Sequence, residues 1–242
     1  MSVKTDYANS VRSEIDRYAV WEPGQPLELG DYGELHDRTF QKRGNIREFA
    51  VSAEHSKGAP SLYEFTSAGT TVAESDISGS VGVGSGGASP KVSMEFKFSR
   101  EKGLVIRAAE SHTIQISNLQ KVAAQLHALR TWQFGWKIVS ELRTASNATI
   151  LMGRSAGSSM KIEASAQALE QFKLGSLKTE AGLAITGEVG YKLVGASGPL
   201  LIDLVRVRRL WGGAARNLQI GAGIRDEPYE RVATSVNEED DE

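Results

Sequence analysis

Two glycine-rich motifs have the spacing of active-site turns, and they are the first candidates for chemistry. Gly153-Arg-Ser-Ala-Gly157 matches the G-x-S-x-G pattern, in which Ser155 would attack a carbonyl carbon with a histidine as general base. In the fold that carries this motif the histidine follows the serine, whereas all four histidines here precede it. The next residues also alternate like a strand where that motif needs a helix. A plain turn is therefore favoured, and a serine hydrolase using Ser155 is the alternative.

The second motif is Gly82-Val-Gly-Ser-Gly-Gly87, which fits G-x-G-x-x-G. That pattern binds dinucleotides where a helix begins directly after it, but here Pro90 and an alternating segment follow. We interpret it as the tip of a hairpin. The sequence has no Walker A motif, no two histidines at metal-ligand spacing and no cysteine. We therefore expect no catalytic residue, no metal and no cofactor.

Charge is distributed unevenly along the 242 residues. Of the 28 bases and 30 acids, one base and eight acids lie in residues 226–242, which gives this segment a net charge of −7. The remaining 27 bases and 22 acids give residues 1–225 a net charge of +5. An acidic tail can screen a cationic surface, although a simple solvated terminus has the same composition.

Two basic clusters could face an anionic partner. They are Lys42, Arg43 and Arg47, and Arg206, Arg208 and Arg209. Anionic lipid headgroups are candidates for both. Nucleic acid is not predicted as a partner, because the chain is near neutral and its basic residues are not interleaved with stacking aromatic residues.

Hydrophobic spacing predicts the elements that position these residues. A helix is predicted over 5–18, where apolar residues recur at helical spacing, and a second helix follows Asn118. Alternation with a period of two predicts a hairpin over 70–100, strands at 136–143 and 149–152, and further strands at 159–168, 177–193 and 200–210. A loop is predicted through Phe172 and Gly175. The predicted fold class is α+β: a mostly antiparallel twisted β-sheet with an N-terminal helix, a central helix and two long amphipathic β-hairpin regions.

The two hairpin regions carry large apolar side chains on one face. These residues are Ile77, Val81, Val83, Val92, Met94, Phe96 and Phe98 in the first region, and Leu183, Ile185, Val189 and Tyr191 in the second. The alternation over 177–193 would extend about 55 Å, against ~17–20 Å for an ordinary strand. That length suits a membrane β-barrel wall shared by many subunits. The alternative is a soluble β-sandwich or lipocalin-like ligand-binding barrel, in which the strand bends at Gly182 or Gly187.

The order of these elements resembles the pore-forming domain of the gasdermins. Trp136–Leu151 is similar in character to the central strand pair of that family, and Gly198–Val207 to its terminal strand. The resemblance covers about residues 5–210 and is to the bacterial or fungal type, without a large C-terminal repressor domain. It implies that both hairpin regions insert into anionic membranes, that the protein oligomerises into a large β-barrel pore, and that lytic cell death follows.

The resemblance also implies roles for individual residues. Headgroup contacts would fall on Lys4, Arg12, Arg17, Lys42, Arg43 and Arg47, and the apolar residues of the two hairpin regions would enter the membrane. Residues 1–211 are expected to form one pore-forming domain, and 212–242 a flexible acidic tail that could be inhibitory. Expected partners are an anionic phospholipid membrane, copies of this chain or a related subunit, and an activating protease. The protein is expected in the cytoplasm when inactive and at the membrane when active.

Overall fold

A computed structural model describes residues 2–77, 91–179, 183–209 and 228–232. The chain forms two compact units, each assembled from three stretches of sequence. Unit 1 comprises residues 1–14, 60–111 and 145–198. Unit 2 comprises residues 15–59, 112–144 and 199–242.

Among the described residues strands predominate, and the helices lie between runs of consecutive strands. The helices are α1 (Val3–Ile15), α2 (Leu119–His127) and α3 (Ala166–Lys173), with a 3₁₀ helix at Ile46–Phe49. The strands are β1 (Tyr18–Ala19), β2 (Asp31–His36), β3 (Thr39–Asn45), β4 (His55–Lys57), β5 (Ser61–Thr66), β6 (Thr70–Ile77), β7 (Lys91–Phe98), β8 (Leu104–Ile116), β9 (Lys137–Gly153), β10 (Ser159–Ser165), β11 (Ala184–Gly187), β12 (Val189–Val207) and β13 (Tyr229–Arg231). The helices with antiparallel strands confirm the predicted α+β class.

Unit 1 contains a four-stranded sheet in the order β11-β10-β7-β6. Its core joins one face of this sheet to Val105 on β8, Leu151 on β9 and the apolar residues of α3. Strand β5 pairs separately with β8, from Ser61 opposite Ser111 to Thr66 opposite Val105. The sheet places both predicted hairpin regions side by side, since β7 pairs with β10.

Unit 2 has the strand order β1-β12-β9-β2-β3, with β13 beside β12 and β4 beside the end of β8. One core cluster lies under α2, which contributes Val122 and Leu126, and it contains Trp132 and Ile138. A second cluster includes Tyr18 and Ile202, whose strands β1 and β12 are paired. Unit 2 therefore has its own hydrophobic interior.

Helix α1 confirms the predicted N-terminal helix with different bounds. The helix ends at Ile15, and Asp16 follows with a left-handed φ of 56°. Tyr18, which the helical stripe included, belongs instead to strand β1. Tyr7 and Val11 are fully buried, as the stripe predicts.

Helix α3 replaces the end of the predicted strand 159–168 and the predicted loop through Phe172. The strand stops at Ser165, whose side chain accepts a hydrogen bond from the Ala168 amide and so caps the helix. Alanines fit either structure, so their alternation does not decide between them. The contact that decides is the burial of Leu169 and Phe172, three residues apart on one helical face.

The predicted continuous strand 177–193 is wrong, because the chain bends at Gly187, one of the two glycines considered for a bend. Strand β11 ends at Gly187, and β12 begins at Val189. Gly187 has a φ of +106°, and a Cβ there would lie 2.2 Å from the carbonyl oxygen of Ser159. Only glycine tolerates both conditions, so this residue turns the chain between two sheets.

Candidate membrane-inserting sheet

The apolar face of the four-stranded sheet is continuous across β7, β10 and β11, whereas β6 places Thr70, Val72 and Glu74 on that face. In the register of β7 and β10, Met94 lies opposite Ile162 and Phe96 opposite Met160, and Ile162 in turn lies opposite Ile185 of β11. The first four of these residues are at most 4% exposed, and Ile185 is partly buried against them. Since cross-strand partners share a face, the sheet has an apolar surface about three strands wide.

The opposite face of the same strands is polar. Lys97 and Glu95 on β7 form an ion pair at 3.4 Å, and Lys161 and Glu163 on β10 form another at 2.7 Å. Lys97 is 63% exposed and Lys161 44% exposed at the side chain. Strands β7 and β10 are therefore two-sided, with the core of unit 1 on one face and charged, solvent-exposed side chains on the other.

Helix α3 packs against the apolar face of the sheet. Leu169 is 2% exposed and Phe172 1% exposed, and the Phe172 ring meets Phe96 edge-on with centroids 6.0 Å apart. At the end of the helix, Lys173 Nζ donates to Glu74 on β6 at 2.7 Å and to Glu170 at 2.9 Å. These hydrogen bonds raise the pKa of Lys173 above its ordinary value, so the lysine stays charged at neutral pH. An eight-residue helix, together with Val105 of β8 and Leu151 of β9, thus covers the apolar face of the sheet.

The predicted membrane-inserting residues of the first hairpin do not all occupy equivalent positions. Val92, Met94, Phe96 and Phe98 are the even positions of β7, and the latter three are buried in the core. They pair with even positions of β6, as Phe96 does with Val72, whereas Ile77 pairs with Lys91. Ile77 thus belongs to the other set of positions, and Val81 and Val83 lie outside the described residues. The single apolar face predicted across this hairpin is shown for β7 alone.

In the second region the bend at Gly187 separates the predicted residues. Leu183, Ile185 and Val189 all pack partly buried against the core of unit 1. Tyr191 on β12 instead contacts Tyr7 of α1, with ring centroids 5.6 Å apart. Burial raises the pKa of the Tyr7 phenol, which stays neutral at any physiological pH.

The predicted headgroup-contacting residues divide between the units. In unit 1, Lys4 of α1 is partly exposed, but Arg12 is only 5% exposed. The buried face of α1 is wider than its apolar stripe, because it also includes Ala8 and Ser10. The stripe alone therefore does not show that Arg12 is turned inward in this conformation.

In unit 2 the remaining four cations form ion pairs. Lys42 Nζ lies 2.9 Å from the buried Asp31 carboxylate, and Arg43 lies 3.1 Å from Glu34, whose pKa is lowered by hydrogen bonds from Arg43 and then His36. Arg47 pairs with Glu28. Arg17 pairs with Glu141 and lies 3.3 Å from Asp203. These four cations are therefore paired with carboxylates in this conformation.

Ser155 has no geometry of a nucleophile elbow. Its hydroxyl donates to Glu188 at 3.0 Å, and strand β10 rather than a helix follows the turn. The described residues contain no group of three or more histidine, aspartate or glutamate side chains placed to hold a metal ion. None of the helices described is both long and apolar enough to cross a bilayer.

The structure describes only a short part of the acidic tail. Strand β13 pairs with β12, placing Arg231 opposite Val205 and Tyr229 opposite Val207. Glu230 forms a hydrogen-bonded ion pair with Arg206 at 2.7 Å, and Arg231 pairs with Asp203 at 2.7 Å. The rest of 212–242, like the glycine-rich turn 82–87, lies outside the described residues.

Comparison with known proteins gives likenesses to solved structures, two of which are described below. No family model matches the chain, and no curated protein matches it. The chain is similar to a bacterial gasdermin from Bradyrhizobium tropiciagri, with a TM-score of 0.37 and 12% identity over 94% of this chain and 90% of that one. It is also similar to the gasdermin A3 membrane pore, with a TM-score of 0.32 and 12% identity over 87% of this chain and 92% of that one. Both agree with the resemblance stated from the sequence, and at this identity they concern the fold alone.

Proposed function

We propose that this chain forms pores in anionic membranes by releasing the four-stranded sheet of unit 1 from α3 and inserting it into the bilayer. The observation that supports this most is the two-sided sheet itself. A membrane β-barrel wall needs apolar residues toward lipid and polar residues toward water on alternate positions of every strand. Strands β7 and β10 have this alternation, with Phe96 and Met160 on one face and Lys97 and Lys161 on the other.

The conversion of α3 to strand would supply the missing length. A membrane-crossing strand needs about 9–11 residues, and β10 has seven. Residues 159–168 comprise ten residues, over which apolar and polar side chains alternate through Ala166 and Ala168. An extended segment of that length would span about 33 Å. Residues 166–168 can therefore belong to the helix or lengthen β10 as a strand.

The sheet edges support assembly from many copies. In the described residues the sheet runs β11-β10-β7-β6, so β11 and β6 each have one side unpaired within it. Unpaired edges bind other strands through their backbone groups. If β6 of one copy pairs with β11 of the next, the contact repeats head to tail and closes into a ring. A ring of such sheets is a barrel without edges, which the bilayer requires. A related subunit with the same edges could take alternate places.

Anionic phospholipid is the proposed target because residues 1–225 carry a net charge of +5. Lys4, Arg17 and the cations of 42–47 would contact headgroups. The inactive protein would reside in the cytoplasm and the active protein in the membrane, where permeabilisation would end in lysis of the cell. Removal of the acidic tail by a protease is the proposed trigger, since it removes a charge of −7.

The absence of native cysteine allows a direct test. Single cysteines at Ile185 and Thr186, and at Val92 and Lys97, are labelled with an environment-sensitive dye and mixed with phosphatidylserine-containing liposomes whose acyl chains carry a quencher. Quenching is expected for the labels at positions 185 and 92, which lie on the apolar face of the sheet. It is not expected for the labels at positions 186 and 97, which lie on the polar face. Liposomes of phosphatidylcholine alone are the control.

Equal quenching at adjacent positions 185 and 186 would contradict insertion as a strand. No quenching at any position, with liposomes remaining intact, would favour the soluble ligand-binding alternative.

A further inference from the structure

Unit 2 contains a groove that pore formation does not use. Two cavities of about 680 and 650 Å³ share four lining residues, Gln133, Phe134, Gly135 and Arg209. The first continues along β2 and β12, and the second along the segment that follows α2. We call the two together the Phe134 groove. Each cavity has the size of a small-molecule site.

The lining of this groove is cationic. Five positive side chains line it, namely Arg130, Lys137, Arg206, Arg208 and Arg209, together with His36 and His127. Its two carboxylates are already paired: Glu34 with Arg43, and Glu230 with Arg206 at 2.7 Å and Arg208 at 3.9 Å. Arg130 and Lys137 form no ion pair with any residue that the structure describes. The groove thus has positive charge that no described carboxylate neutralises.

Aromatic side chains stand among these cations. The Arg209 guanidinium lies over the Phe134 ring, 5.4 Å from its centroid. Stacking uses the face of the guanidinium, whose hydrogen-bond donors lie in its plane. Trp136 lines the first cavity and Trp132 the second, and the two rings meet edge-on with centroids 5.2 Å apart. Apolar ring surface and in-plane donors therefore occur in one groove.

The indole of Trp132 provides a second, independent observation. Trp132 is 4% exposed, and its Nε1–H has no hydrogen-bond partner among the described residues. Buried N–H donors are ordinarily satisfied, and leaving one unsatisfied destabilises the fold. Trp132 lines the second cavity, so its indole N–H signal reports on a ligand bound there.

We propose that the Phe134 groove binds a phosphate monoester, with the phosphate held by the groove's cations and the esterified group against Phe134 and the tryptophans. Arginine binds phosphate through two parallel N–H donors, so a groove with Arg206 at the end of β12 and Arg208 and Arg209 directly after it is suited to phosphate. The proposal is independent of pore formation, because no residue of the four-stranded sheet takes part. The ester could be a free metabolite or the headgroup of a phospholipid, and both present the same chemistry.

The full chain is titrated with soluble probes, and the indole N–H signal of Trp132 is followed by nitrogen–proton NMR. The indole N–H signal of Trp132 is assigned by its disappearance in the Trp132→Phe variant. The probes are inorganic phosphate, glycerol 3-phosphate, dihexanoyl phosphatidate below its micelle concentration, and dihexanoyl phosphatidylcholine at the same concentration. Saturable shifts with glycerol 3-phosphate would identify a free ester as sufficient. Saturation with phosphatidate alone would identify a lipid headgroup.

The matched variants are Arg130→Gln with Lys137→Gln in the groove, and Lys57→Gln with Lys121→Gln outside it. Both doubles remove two exposed or half-exposed positive charges from unit 2. The groove variant is expected to bind at least about tenfold more weakly and the control to bind as the parent does. Circular dichroism confirms that each variant is folded.

Three results would overturn the proposal. The first is the absence of a saturable shift with any phosphorylated probe. The second is an equal loss of affinity in both doubles, which would mean that net charge alone attracts the probe. The third is equal affinity for phosphatidylcholine and phosphatidate, which would assign the groove to apolar contact. The rate of dye release from liposomes is measured in parallel, and it is expected to be the same with and without glycerol 3-phosphate.

Discussion

Phe172→Ala should make the protein permeabilise membranes faster while destabilising its soluble fold. The side chain is 1% exposed and packs edge-on against Phe96, so truncation leaves a cavity between α3 and the sheet. Such truncations cost about 3–5 kcal/mol. If α3 leaves the sheet before insertion, the released state loses none of this contact. The population of that state should then rise by about 10² to several times 10³.

Two measurements test this expectation. Hydrogen exchange at the amides of residues 166–173 reports how often α3 opens, and dye release from phosphatidylserine-containing liposomes reports the rate of permeabilisation. Leu126→Ala is the matched control, because Leu126 is fully buried on α2 in unit 2 and its truncation costs a similar amount. It should lower global stability without speeding exchange in α3.

The reasoning is refuted if α3 exchanges faster in Phe172→Ala and dye release is no faster than in Leu126→Ala. Since a small domain has only about 5–15 kcal/mol of stability, the alanine variant could unfold outright. Phe172→Leu then serves as a milder change of under about 1.5 kcal/mol, with an increase of up to about tenfold expected in both measurements.

Three further perturbations follow from the same contacts. Gly187→Ala should destabilise the soluble state by more than about 1 kcal/mol, because the residue has a positive φ and its Cβ would meet the Ser159 carbonyl oxygen at 2.2 Å; urea unfolding measures this loss. The same variant should release dye faster, and an unchanged rate of release would contradict that expectation. Deleting residues after Arg225 removes β13 and its Glu230–Arg206 pair, and should increase binding to phosphatidylserine-containing liposomes in a sedimentation assay. Equal dye release by the full-length and shortened proteins would reject an inhibitory tail. Ser155→Ala should leave dye release unchanged. A fluorophosphonate probe should not label the parent protein, and labelling at Ser155 would support the serine hydrolase alternative.

Local alternation predicts some parts of this fold well. Met94, Phe96 and Phe98 are alternate residues of β7 and so share one face of the strand, whichever strands it pairs with. Their alternation in the sequence is therefore enough to predict that they are buried together. The pairing of β7 with β10 brings the two hairpin regions together, and their separate patterns contain no information on that pairing. Register across a hairpin is also set by its turn, so the spacing of apolar residues alone does not predict that Ile77 pairs with Lys91.

Contacts distant in sequence account for most of what was missed. Helix α3 depends on a Ser165 cap and on the contact of Phe172 with Phe96, and only the cap is visible locally. A signal was present in the serine followed by Leu169 and Phe172 at helical spacing and Lys173 in the last turn. Arg17 and Glu141 are 124 positions apart, so their ion pair has no sequence pattern at all. The Phe134 groove was missed for the same reason.

A cleavable tether between α3 and the sheet tests the central claim most directly. Glu74 and Lys173 are in contact at 2.7 Å and are 49% and 30% exposed, so cysteines at both positions accept a short bismaleimide with an internal disulfide. The tethered protein is expected to leave phosphatidylserine-containing liposomes intact, and reductant is expected to restore dye release to the rate of the untethered double variant. Full release from the tethered protein before reduction would contradict the account, because the sheet would then enter the membrane with α3 still in place.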